Sequence, residues 1–262
     1  QRRVHGVSFP AMALANFLKL IFLTLGCFMA ATIVYTISTD GSPFRRSLLT
    51  PWMAATLIDF YIHVAALSAW LVYKESSILS TISWIFLFIG FGSASTCAYI
   101  FTQLVKLSKE QSTQDPIYYV LLRNDKKNAM AIAREPCTVA SARILFISMG
   151  ILILGTLIFT MATDGSPFRK DLLTPWMVAT LIDFYINVFA LSVWIAYKDC
   201  CWIRALMWIL AVVCFGSVAT CAYIVAELVR LSADSAAFVV LFKNASGPGS
   251  LPAFRCSETS SF

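Results

Sequence analysis

Two acids stand where acids are expensive. Asp59 and Asp183 each lie in the string ATLIDFY, inside a run of more than twenty mostly apolar residues. Each run opens with Thr-Pro-Trp: a threonine that can cap free amides, a proline suited to the first helical position, and a tryptophan that favours a membrane interface. Counted from Pro51 and Pro175 at 1.5 Å per residue, the aspartates sit roughly 12 Å inside, close to the middle of a ~30 Å hydrocarbon core. An acid there can bind and release a proton, hold a cation or act as an acid catalyst, and its insertion cost of about 2.5–3.5 kcal/mol marks it as a functional candidate. Thr56 and His63 share its helical face in the first run, and Thr180 and Asn187 in the second, at spacings of three and four. The alternative is structural: a carboxyl hydrogen-bonded between helices as packing glue. His63, whose matching position holds Asn187, reads as a polar helix contact.

A second candidate is the string TDGSPFR, at 39–45 and again at 163–169. Asp-Gly makes a turn, Pro43 and Pro167 stiffen it, and Asp40, Arg45, Asp164 and Arg169 are its charged members. It can be an anion or lipid-headgroup loop, or a short rigid connection with a snorkelling arginine. Nothing else offers catalytic chemistry: GxSxG, HExxH and glycine-rich phosphate loops are absent, so no catalytic residue is assigned. The eight cysteines follow no CxxC or Cys/His spacing, and four of them (Cys27, Cys97, Cys214 and Cys221) lie in apolar runs. They read as reduced thiols, with no metal and no cofactor.

The elements that position these residues come from composition and duplication. Hydrophobic residues make up 59% of the 262 and charged residues 13%, about half the charge a soluble surface needs. Net charge is +6, but the basic residues gather at segment ends without interleaved aromatics, which suits anionic headgroups and not nucleic acid. Thr39–Glu75 matches Thr163–Asp199 at about three-quarters of positions with a constant offset of 124, and Trp84, Phe91-Gly92-Ser93 and Thr96-Cys97-Ala98-Tyr99 recur at the same offset. The expected fold is therefore all-α and membrane-embedded, with six transmembrane helices in two tandem three-helix repeats. Spans are expected at about 14–38, 51–73, 80–106, 143–162, 175–197 and 203–230, the first a retained signal anchor. The units divide as a non-core extension 1–11, a first repeat 12–107, a polar linker 108–140, a second repeat 141–231 and a polar tail 232–262.

Three is an odd number of crossings, so the second copy should lie upside down, an inverted repeat about an axis in the membrane plane. A dip of the linker into the membrane would instead restore parallel copies. With inversion, the linker faces the cytoplasm and both termini the opposite side, where Asn244-Ala245-Ser246 becomes a glycosylation acceptor. Gly92-x-x-x-Thr96 and Gly216-x-x-x-Thr220 read as close helix packing, and Glu227 with Arg230 as a solvated helix end.

Together TDGSPFR, LLTPWM-x-ATLIDFY, FGS-x-x-TCAY and the VLLRN segment resemble a plant family of multi-pass membrane proteins known as domain of unknown function 1475. The resemblance runs from about Met12 to Asn124 and again through the second copy. It implies a plant source and a membrane location, and brings no activity with it. From the residues themselves the leading expectation is a small transporter-like protein for a solute, proton or cation, with its site between the repeats. The alternatives are an intramembrane enzyme on a lipid or isoprenoid, and a non-catalytic membrane scaffold. Expected partners are the lipid bilayer and other membrane proteins or further copies of the chain; the expected location is the endomembrane system or the plasma membrane.

Overall fold

The computed structural model describes residues 11–121, 139–199 and 201–231. The extension before Ala11, the tail beyond Leu231, Asn244, Cys137, Cys200 and Cys256 lie outside the described residues. The described chain is all helical. Its long elements are α1 (Ala11–Asp40), α2 (Pro51–Lys74), α3 (Ile78–Val105), α6 (Val139–Asp164), α7 (Pro175–Lys198) and α8 (Trp202–Val229), with short α4 (Lys109–Gln114) and α5 (Pro116–Leu121) between the units. All six long helices have the length and hydropathy to cross a membrane. Many large apolar side chains, among them Phe17, Leu20, Ile151 and Phe159, are exposed, as lipid-facing residues should be.

Local chemistry sets the starts of α2 and α7 where the Thr-Pro-Trp trios place them. Thr50 and Thr174 each accept from the amide three residues on, Met53 and Met177, at 3.2 Å, and each proline occupies the first turn. α2, α7 and α8 are the most buried of the six, at 44% of the apolar window each, against 28% for α3 and 17% for α1 and α6 on the outside. α2 packs on α7, α1 on α7 and α6 on α2, so each unit's first helix lies against the other unit's second.

The third helices do not run straight. Gly92 has φ +54°, ψ −131° and Gly216 φ +56°, ψ −131°, a backbone that breaks each helix in the middle. Past the break the chain turns back on itself. The rings of Trp84 and Tyr99, which a straight helix would set roughly 22 Å apart, have centroids 5.0 Å apart. Ser95 Oγ donates to Leu87 O at 2.8 Å across the turn. Tyr99 Oη donates to Glu75 Oε1 at 2.7 Å, although Glu75 precedes the outgoing arm. In the second unit Trp208 meets Tyr223 at 5.3 Å, and Lys198 Nζ lies 3.1 Å from Glu227 Oε2. Each third helix is thus a re-entrant hairpin, with arms 78–91 and 93–105, and 202–215 and 217–229.

This overturns the inverted arrangement. A hairpin enters and leaves on one side, so each unit crosses twice and the second copy starts on the same side as the first. Both TDGSPFR loops consequently share one end of the molecule. There the Trp52 indole N–H donates to Gly165 O at 3.2 Å, and Trp52, Met53 and Ala55 pack with Leu172, Trp176 and Met177. The other end gathers the hairpin bases and the described parts of the linker: Lys74 Nζ donates to Tyr119 O at 3.0 Å, Tyr197 Oη to Asp115 at 3.0 Å, and Arg143 to Leu228 O and Leu231 O at 2.9 and 2.8 Å. The starts of α2 and α7 lie at the same end of the molecule, so these two helices run in the same sense. Neither terminus of the described chain lies across the membrane from the linker.

Candidate functional site

The aspartates meet the hairpin tips. Asp59 lies one-third of the way along α2, and Asp183 at the same place in α7. Reckoned by rise per residue, each is roughly 12 Å from the loop end, while a 14-residue hairpin arm reaches roughly 21 Å from the other. The two lengths together match a hydrocarbon core, so acid and tip meet inside it. Asp183 Oδ1 accepts from Ser93 N–H at 2.6 Å, and Asp59 Oδ1 from Ser217 N–H at 2.7 Å. The bonding is crossed: each unit's acid holds the other unit's hairpin.

Ser93 and Ser217 are the first residues of the returning arms, whose opening amides have no carbonyl a turn earlier to bond. A carboxylate there acts as an N-cap supplied from another helix. Gly92 and Gly216 serve this contact twice. Their positive φ is unfavourable for any residue with a Cβ, and a Cβ on Gly92 would overlap the Asp183 carboxylate as one on Gly216 would overlap Asp59. In both cases Oδ2 is the carboxylate oxygen nearest that position.

The remaining candidates divide. Thr56 and Thr180 turn their hydroxyls to Trp52 O and Trp176 O, both at 2.9 Å, and so bond to their own helices. His63 is fully buried. Its Nδ1 lies 3.1 Å from Asp59 O and its Nε2 3.0 Å from Thr220 Oγ1, with Phe184 edge-on at 5.0 Å. A carbonyl only accepts, so Nδ1 carries the proton and the neutral ring's Nε2 accepts from Thr220. Asn187, in the matching place, is equally buried, yet among the described residues neither its Oδ1 nor its Nδ2 has a partner. Among the described residues no hydrogen bond joins Asp59 to Asp183, so the single shared centre expected from the sequence resolves into two crossed sites.

The loop candidates pair among themselves. Arg45 bonds Asp40 at 2.7 Å and Arg169 bonds Asp164 at 3.0 Å, which closes each turn on its own charge. Phe44 and Phe168 project from these turns almost wholly exposed. Among the described residues no three His, Cys, Asp or Glu converge as a metal site would require.

Sequence reasoning missed the tips. Gly92, Gly216 and the threonines after them were expected in close helix packing, and that is half of their role. Ser93 and Ser217 contribute backbone amides, which no residue type announces. Glu227 is a further correction: it is not at a solvated end but buried, bonded to Lys198 at 3.1 Å and to Arg230 at 2.7 Å at the base of the second hairpin.

The family described as Protein of unknown function (DUF1475) matches residues 11–246, nine-tenths of the chain. The chain belongs to that family. The match spans both units of the DUF1475 chain, hairpins and crossed aspartates included. Comparison with curated proteins and with solved structures finds no match. Six long apolar helices make this DUF1475 protein an integral multi-pass membrane protein, with the lipid bilayer as its surroundings.

Proposed function

We propose that the chain is a small transporter-like protein that handles a proton or a cation at the two crossed aspartate–hairpin sites. One observation carries this reading: at mid-depth, each carboxylate holds a broken helix of the other unit by one short bond through Oδ1, and Oδ2 faces a glycine. Broken helices meeting an acid at the membrane midplane are the usual means by which membrane proteins place an ion where lipid would exclude it. Protonation or cation binding at the carboxylate weakens its hold on the arm's free amide, so occupancy and hairpin position are coupled through one bond.

The groove between α1 and α7 favours a second reading. It encloses roughly 510 Å³ and is lined by Phe28, Thr32, Tyr35, Thr36, Val178 and Ile182 among others, apolar walls with a few hydroxyls that suit an acyl or isoprenoid chain. Neither aspartate lines it, which weighs against lipid chemistry by these acids and leaves lipid binding. A scaffold role would need the carboxylates as fixed staples alone. The resemblance of the motifs carries the plant source and a place in the endomembrane system or plasma membrane.

Reconstitution in liposomes with an internal pH or cation dye separates these readings. Asn keeps an oxygen for the Ser amide but loses the titratable charge. Asp59→Asn and Asp183→Asn should therefore leave the protein folded and each lower flux at least about tenfold. Wild-type flux in the double variant refutes transport at this site.

A further inference from the structure

The two crossed sites are not equivalent: their tips differ at Ala94-Ser95 against Val218-Ala219, and the turn beyond each acid differs at Asn187 against His63. At the site of Asp59, His63 fills the turn beyond the acid and bonds Thr220 at 3.0 Å. At the site of Asp183 the same place holds Asn187, fully buried, with both amide atoms unpartnered. Across from it, at the place Thr220 holds in the other site, stands Thr96. Its hydroxyl reaches only Gly92 O, at a long 3.4 Å. Ser93 Oγ, on the same hairpin tip, is buried without a partner among the described residues, as is Ser217 Oγ at the other site, so it can donate to a ligand without distinguishing the two. A carboxamide is shorter than an imidazole, so replacing histidine with asparagine removes both the volume and the bond that close the first site.

A buried carboxamide left unpaired is unfavourable, and an unfilled polar gap collapses or takes an occupant. We propose that the Asp183 site, with Asn187, Thr96 and Ser93, binds one monovalent cation, sodium being the probe of choice. The Asp59 site, closed by His63, does not. This deepens the transport reading and rests on it. The donors are all oxygen (carboxylate, carboxamide and hydroxyls), which suits a hard cation and offers nothing soft for zinc or copper. There is a single carboxylate, so a monovalent ion leaves the site neutral, while a divalent ion would leave an uncompensated charge in a low dielectric. The broken helix adds carbonyls at the end of its first arm that have no amide a turn ahead to bond.

The test uses the full chain in detergent, with melting followed in sodium against equal N-methylglucamine. The expected result is a saturable rise of about 3 °C or more for wild type, specific to the small cation. Asn187→His should melt at or above the wild-type temperature without sodium and lose the sodium response, because it imports the other site's closure. If Asn187→His fails to fold, Thr96→Val, which deletes one oxygen at constant volume, should reduce the response. His63→Asn should keep the rise and steepen it. A wild-type protein indifferent to sodium, as when a water alone fills the gap, overturns the proposal. So does a full response in Asn187→His or Thr96→Val. Flux lost in the Asp→Asn variants but without sodium dependence would overturn this site and leave the transport reading standing.

Discussion

At the scale of single residues the glycines at the tips matter most. Gly92 and Gly216 combine a positive φ with a carboxylate at the place a Cβ would take. Alanine at either position therefore meets two separate penalties. The left-handed backbone accounts for about 1–2 kcal/mol, and displacement of the aspartate adds the loss of a charge-assisted bond of about 1.5–3 kcal/mol. Gly92→Ala should lower stability by about 3 kcal/mol in reversible unfolding from mixed micelles. Combined with Asp183→Ala it should lower stability by clearly less than the sum of the two single changes, because the overlap is gone. Strict additivity would mean that carboxylate and glycine do not touch. The buried pair of Lys198 and Glu227, with the half-exposed Arg230 beside it, is a second residue-scale test. Glu227→Gln removes the carboxylate 3.1 Å from an ammonium that is almost fully buried, and the breaking of such a pair costs about 3–5 kcal/mol. The unit-one equivalents make the contrast: Gln103 already stands where Glu227 does, so Gln103→Glu should not give a matching gain.

At the scale of elements, the decisive feature is the reversal inside α3 and α8. A straight third helix would place Ser77 and Ser108 on opposite membrane faces; a hairpin places them on one. In a background free of the eight native cysteines, Ser77→Cys and Ser108→Cys should react with a membrane-impermeant maleimide from the same side, and Ser166→Cys from the opposite side. Labelling of Ser77→Cys and Ser108→Cys from different sides would restore the straight helix and with it the inverted repeat. The sequence holds part of this. Third segments of 27 and 28 mostly apolar residues (80–106 and 203–230) exceed what a span requires, and Phe-Gly-Ser recurs at the centre of both. What it does not hold is the distinction between a glycine chosen for close packing and one chosen for its backbone angle, since both leave the same letter in an apolar run.

At the scale of the whole molecule, the parallel arrangement changes which charges share a face. Of the described lysines and arginines, Arg45, Arg46, Arg169 and Lys170 lie at the loop end, and Lys19, Lys74, Lys106, Lys109, Arg143, Lys198, Arg204 and Arg230 toward the hairpin end. The positive-inside bias then places the hairpin bases, the linker and both ends of the described chain in the cytoplasm, and the TDGSPFR loops across the membrane. Split-reporter tags on both termini should complement in the cytosol, and Asn244 should carry no glycan. A gel shift abolished by Asn244→Gln would contradict this orientation. The expectation drawn from an inverted repeat is the reverse for the termini, and the two orientations differ by one crossing per unit.

Composition alone established a membrane solvent, because a chain with so little charge cannot clothe a water-facing surface. The recurrence of strings at a constant offset of 124 is legible in the sequence, and the Thr-Pro-Trp caps mark where α2 and α7 begin. These are local or additive properties, and each is carried by residue types at fixed spacing. The tertiary structure decided the handedness of the duplication, the partners of the acids and the difference between His63 and Asn187. All three depend on a backbone reversal at one glycine and on amides freed by that reversal. Backbone groups are common to every residue, so their availability is written in the fold and not in the letters.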